Sequence, residues 1–168
     1  AQAQSNLGDL YRMGDGVLQD YKEATKWYRL AAEKSYADAQ VNLAAMYRLG
    51  YGVLKNPQES IKWYRLAAVQ GDATAQYSLG SMYLKGDGVP QNLQEAIKWT
   101  RLAAAQGNAQ AQFNLGWIYL KGEGLPQDAE EGIKWYRLAA EQNFALAQFN
   151  LALIYEKGEG VPQDMQEA

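Results

Sequence analysis

An all-α fold of tandem helix pairs is what this sequence predicts, on three observations. The first is a repeat: the Trp of KWYRLAA, or of its variant KWTRLAA, falls at Trp27, Trp63, Trp99 and Trp135, each 36 residues after the last. The second is periodicity. Apolar residues recur at three- and four-residue spacing in stretches such as AQFNLGWIYLKG and EAIKWTRLAAAQG, as in helices that bury one face. The third is punctuation at fixed places, with a GxG turn at Gly14/Gly16, Gly50/Gly52, Gly86/Gly88, Gly122/Gly124 and Gly158/Gly160, and an AxAQ start at Ala1, Ala37, Ala73, Ala109 and Ala145. The repeats are therefore 1–36, 37–72, 73–108, 109–144 and an incomplete 145–168, read together as a single domain over 1–168.

Within each repeat an A helix comes first and should end at the first Gly of GxG, because Gly takes the left-handed C′ conformation at little cost. Pro90, Pro126 and Pro162 then stiffen the connecting loop. The B helix should begin after Asp20, Asn56, Asn92, Asp128 and Asp164, each followed three residues later by Glu23, Glu59, Glu95, Glu131 and Glu167, which predicts a capping box in every repeat. It should end near Ser35, Gly71, Gly107 and Asn143, residue types that tolerate a turn. Two junctions look weaker than the others: Gly71-Asp72 and Gly107-Asn108 supply turn and N-cap residues, whereas Ser35-Tyr36 and Asn143-Phe144 offer aromatics instead. Lys26/Arg29, Lys62/Arg65, Lys98/Arg101 and Lys134/Arg137, with Glu one turn earlier, predict helical salt bridges worth about a few tenths of a kcal/mol each.

Composition narrows the function. The chain has 168 residues, 48% of them hydrophobic, enough to bury a core. Sixteen Lys and Arg against nineteen Asp and Glu give a net charge of -3, so no positive excess drives counterion release and nucleic-acid binding is not expected. With no Cys and no His, thiol nucleophiles, disulfides, imidazole catalysis and soft zinc sites drop out. None of the serines has a Lys three residues on, so no catalytic residue and no cofactor is expected, and the protein reads as a non-enzyme. The GxG acids Asp15, Asp87, Glu123 and Glu159 lack EF-hand spacing, so no metal site is expected. Apolar runs fall far short of the roughly 20 residues that cross a bilayer, so no transmembrane segment is expected. The chain opens at Ala1 with no charged-then-apolar leader, so a targeting segment is expected to have been removed or to lie outside this sequence, and the compartment stays unassigned.

Over nearly the whole chain the pattern AxAQxxLGxxYxxGxGVxQDxxEAxKWYRLAAxQG resembles the SEL1-like repeat, a relative of the tetratricopeptide repeat. The resemblance implies a right-handed αα-solenoid of antiparallel helix pairs with the A helices lining a concave groove. It also implies work as a scaffold or adaptor that binds a partner protein or peptide, and it suggests a bacterial periplasmic or secreted setting that no residue here selects. A cysteine-rich branch of the family staples its repeats with disulfides, which this sequence lacks.

Helical geometry then separates two arcs of the A helix. The third, fourth, seventh, eighth, tenth and eleventh residues hardly vary in type between repeats and form the packing face. On the opposite arc the repeats diverge, the N-terminal copies polar and basic, the C-terminal ones aromatic and aliphatic. Large exposed apolar patches signify partner binding, and Trp and Tyr lead among hot spots. The candidate partner-binding residues are therefore Tyr77, Leu84, Phe113, Asn114, Trp117, Leu120, Phe149, Asn150 and Leu153, with Trp117 foremost. The competing reading is that these side chains fill the space between adjacent A helices. The asparagines could equally bond a neighbouring helix, and Lys85, Lys121 and Lys157 could be ordinary solvated surface.

The function expected is a non-catalytic protein-interaction scaffold. The alternative is a structural spacer or a head-to-tail assembling segment. The last A helix, roughly 145–157, lacks a following KWYRLAA, which predicts head-to-tail self-association unless residues 162–168 cover that end.

Overall fold

The computed structural model describes residues 1–158, and among these it contains nine α-helices and no strand. They are α1 (Gln2–Met13), α2 (Tyr21–Ala32), α3 (Ala37–Leu49), α4 (Pro57–Val69), α5 (Ala73–Lys85), α6 (Leu93–Ala105), α7 (Ala109–Lys121), α8 (Ala129–Glu141) and α9 (Ala145–Lys157). Odd-numbered helices are the A helices of the repeat and even-numbered ones the B helices. They gather into two compact units, Ala1–Gln91 with α1 to α5 and a second from Asn92 onward with α6 to α9.

The helix ends fall on the expected residues. Gly14, Gly50, Gly86, Gly122 and Gly158 close the five A helices in the left-handed conformation, with φ between 67 and 79°. Asp20, Asn56, Asn92 and Asp128 cap α2, α4, α6 and α8, each accepting from the backbone N–H of the Glu three residues on at 3.0 to 3.1 Å. The reciprocal half of the expected capping box is replaced. Glu23, Glu59, Glu95 and Glu131 pair instead with Lys26, Lys62, Lys98 and Lys134 at 3.2 to 3.5 Å. The amides of Asp20, Asn56 and Asp128 donate to the carbonyls of Tyr11, Tyr47 and Tyr119, last-turn groups of the preceding A helix that have no partner within it. Pro162, Asp164 and Glu167 lie outside the described residues, as does everything in the fifth repeat after Gly158.

The arginines depart from the expected salt bridges. Arg29 and Arg101 donate to the hydroxyls of Tyr47 and Tyr119 at 2.6 and 2.8 Å, and Arg65 and Arg137 do the same to Tyr83 and Tyr155. Each bond runs from a B helix to the A helix that follows it. The arginine is therefore a latch between successive helices, which a pattern of charges along one helix could not reveal.

In the first unit α1 packs on α2 and α3 on α4, while α2 meets α3 and α4 meets α5. Ala24, Tyr28, Ala31, Ala32, Ala39, Leu43 and Met46 form one core, against which half-buried Tyr11, Tyr36, Tyr47 and Trp63 lie. The fourth residue of each A helix from α3 onward, buried in α3, α5 and α7 and exposed in α9, ties it to the B helix before it: Gln40, Gln76, Gln112 and Gln148 each donate Nε2 to a last-turn carbonyl, of Ala32, Ala68, Ala104 and Ala140, at 3.1 to 3.2 Å. The second Gly of GxG permits close approach of the loop: a Cβ on Gly52 would stand 2.0 Å from the carbonyl oxygen of Tyr21.

The junctions divide as expected. Asp72 and Asn108 cap α5 and α7 by accepting from Ala75 and Ala111 N–H at 2.7 and 2.9 Å, whereas α3 and α9 start at Tyr36 and Phe144 with no side-chain cap. The uncapped junctions also place non-glycine residues in the left-handed region, Ser35 at φ 59° and Asn143 at φ 62°.

In the second unit α6 meets α7, α7 packs on α8, and α8 meets α9 around Ile133, Tyr136, Leu151, Ile154 and Tyr155. The α7–α8 crossing is very close because Gly116 faces Gly132, where other repeats carry Ala24, Ser60 and Ala96 at the second position.

Candidate functional site

A cavity of about 730 Å³ opens between α7 and α9 in the second unit. Trp117 and Leu120 from α7 and Leu153 and Ile154 from α9 form its apolar walls, Ala129 and Tyr136 of α8 contribute from below, and Asn150, Gln127, Lys121 and Lys157 add polar groups. The local sequence explains the arrangement. The ninth and twelfth residues of an A helix lie off its packing face, so Trp117, Leu120 and Leu153 stay half-buried while Leu115 and Leu151 of the same helices are buried.

Four of the nine expected residues, Trp117, Leu120, Asn150 and Leu153, thus share one cavity. Phe113 does not line it: its ring stacks on Tyr136 at 5.2 Å and 15° and leans on Phe144 at 5.4 Å, a packing role. Asn150 donates Nδ2 to the Tyr136 hydroxyl at 3.3 Å, so its amide braces the cavity wall from α9 to α8. Asn114 is half-buried on α7, and Phe149 is 61% exposed on α9. Tyr77 and Leu84 belong to the first unit, Tyr77 lining a separate small hollow there and Leu84 half-buried in α5.

Tyr136 was not among the candidates. Burial raises its hydroxyl pKa, so the group stays neutral well above neutral pH. The signal for it was available, since the same position holds Tyr28 and Tyr64 but Thr100, a divergence hidden inside the otherwise uniform KWYRLAA motif. Lys121 and Lys157 border the cavity.

The N-terminal repeats are less polar at this level than the residue types suggest. A hollow of about 530 Å³ between α1 and α3 includes Met13, Leu49 and Tyr51, which are 55%, 48% and 46% exposed. Its arginine is neutralised: Arg12 reaches Asp9 at 3.4 Å and donates to the Tyr28 hydroxyl at 3.0 Å, and that hydroxyl donates to Asp9 at 2.7 Å. Burial, then the bond to Asp9, hold the Tyr28 pKa far above the usual tyrosine range. Among the described residues no cluster of acids could hold a metal ion, and no helix is long and apolar enough to cross a membrane.

Nine helices among the described residues, in a strict 36-residue repeat, define a helical repeat protein. The Sel1 repeat model matches residues 1–36, 37–72, 73–108, 109–144 and 145–168, and the chain belongs to the Sel1 repeat family. Members of this family generally serve as protein-interaction scaffolds. Among solved structures, a protective antigen of uropathogenic Escherichia coli displaying the SLR fold is 42% identical, with a TM-score of 0.95 over 99% of this chain and 36% of that one. A Sel1 repeat protein from Oxalobacter formigenes is 38% identical, with a TM-score of 0.93 over 99% of this chain and 68% of that one. A Sel1 repeat protein from Klebsiella pneumoniae, 20% identical at a TM-score of 0.62 over 99% of this chain and 81% of that one, shares the fold. The chain thus spans about a third of the length of the E. coli antigen. No curated protein matches the chain.

Proposed function

We propose that the protein is a non-catalytic interaction scaffold that seats an apolar side chain of a partner protein or peptide in the Trp117 cavity, its repeats 1–168 serving as one domain. The observation that carries this reading is the cavity's make-up: an indole, two leucines and an isoleucine around a space of about 730 Å³, with amides and lysines beside them. Ligand sites are built this way, an apolar enclosure with a few polar groups that fix orientation. Exposed Phe149 and Leu146 on α9 would extend the contact beyond the cavity.

Peptides selected from a displayed library against the full chain provide the test. Binders that use the cavity should lose more than about tenfold in affinity on Trp117→Ala, as expected when a central hot-spot aromatic is truncated. If every binder keeps its affinity on that variant, the assignment fails.

A further inference from the structure

The A helices α3 and α5 of the first unit enclose a hollow of about 240 Å³ lined by Arg48, Tyr77, Ser78, Ser81, Lys85 and Asp87, with Met82 beneath. Three departures from the repeat, beside a lysine shared with the later repeats, make its chemistry unlike that of its neighbours. Arg48 stands at the repeat position of Arg12, but the residue three before it is Ala45 where Arg12 has Asp9, so the carboxylate that neutralises Arg12 is gone. Lys85, like Lys121 and Lys157 in the later repeats, stands where the first two repeats carry the apolar Met13 and Leu49. Ser78 replaces the asparagine found at Asn6, Asn42, Asn114 and Asn150, and Ser81 stands where later repeats place Trp117 and Leu153. The two short hydroxyl side chains leave open space that larger residues take up elsewhere. No described carboxylate lies within ion-pair distance of Arg48 or Lys85.

We infer that this hollow binds a carboxylate of a peptide partner, either an acidic side chain or a chain terminus, between Arg48 and Lys85 with the serine hydroxyls as further donors. The charge of the lining selects this anion. Arg48 and Lys85 contribute two positive charges and Asp87 one negative, leaving one to match the single charge of a carboxylate. A phosphate dianion would overrun that balance and face Asp87. The hydroxyls can donate to either carboxylate oxygen, and guanidinium–carboxylate pairs are among the stronger hydrogen-bonded contacts. The half-buried Tyr77 and buried Met82 give the carbon chain behind the carboxylate an apolar surface. That the ligand belongs to a peptide rests on the scaffold reading above; the anion preference does not.

Nuclear magnetic resonance titration of the full chain with small probes decides it without any partner. N-acetyl-Gly-Glu-Gly-amide should shift the Ser78, Ser81 and Lys85 amide resonances saturably, its glutamine counterpart should not, and N-acetylglycine tests the chain terminus as the source. Arg48→Gln and Lys85→Gln should each weaken the carboxylate probe by at least about fivefold, the loss of one charge-assisted contact. Asp87→Asn should tighten it. Trp117→Ala should leave it unchanged, so failure of the groove reading and failure of this site are read separately. Equal response to the glutamate and glutamine peptides, response to inorganic phosphate alone, or wild-type affinity in both Arg48→Gln and Lys85→Gln would overturn the inference.

Discussion

Replacing Gly116 with alanine tests whether the α7–α8 crossing is as tight as its two facing glycines imply. A Cβ at Gly116 would stand 2.5 Å from Cδ1 of Tyr136 and 2.8 Å from the carbonyl oxygen of Gly132, where ordinary contacts begin near 3.4 Å. Neither neighbour yields easily. The Tyr136 ring is stacked on Phe113 at 5.2 Å, and the Gly132 oxygen is helix backbone. Overpacking of this kind costs about 1–3 kcal/mol. Exchanging Gly for Ala inside a helix returns about 1 kcal/mol of intrinsic propensity. Because three contacts fall below 3.0 Å and one is backbone, the upper end applies, and the net loss should be about 2 kcal/mol. For a chain of this size that corresponds to a fall in Tm of roughly 4–8 °C. Urea unfolding gives the stability change. Hydrogen exchange resolved on α7 and α8 shows whether it is local, which matters in repeat proteins because they can open in parts. Tyr136 also lines the Trp117 cavity, so the variant should alter peptide binding there. A midpoint at or above wild type would refute the reasoning.

Two further outcomes follow from the capping and titration patterns. Amides in the first turns of α3 and α9 should exchange faster than those of α5 and α7, because Tyr36 and Phe144 supply no side-chain cap while Asp72 and Asn108 do, a difference of about 1 kcal/mol; equal protection at all four starts would contradict this. Burial and the bond to Asp9 raise the Tyr28 pKa in the folded protein, so its contribution to stability is fully present below the unfolded value of about 10 and is lost as pH rises from there toward the folded value. Unfolding midpoints should therefore drop above about pH 10, and the drop should be shallower in Tyr28→Phe, where a pH-independent difference between the two proteins would count against the linkage.

What the sequence alone determined is everything governed by local chemistry repeated in phase. Glycines that accept a left-handed backbone ended each A helix at the residue expected, and Asp or Asn began each described B helix, because both requirements are met by atoms a few residues apart. The weak junctions at Tyr36 and Phe144 were legible for the same reason. Divergence between repeats likewise pointed to Trp117, Leu120 and Leu153, which line one cavity with Asn150. Tertiary structure decided which partners those residues meet. It sent the B-helix arginines across to Tyr47, Tyr83, Tyr119 and Tyr155 instead of along their own helix. It turned Phe113 onto Tyr136 instead of into the cavity, and it brought Tyr136 of a B helix into a site expected from A helices only. Such outcomes depend on the distance between helices that a repeat motif places side by side. One methyl group at Gly116 or Gly132 would change that distance, and no periodicity within a single helix encodes it.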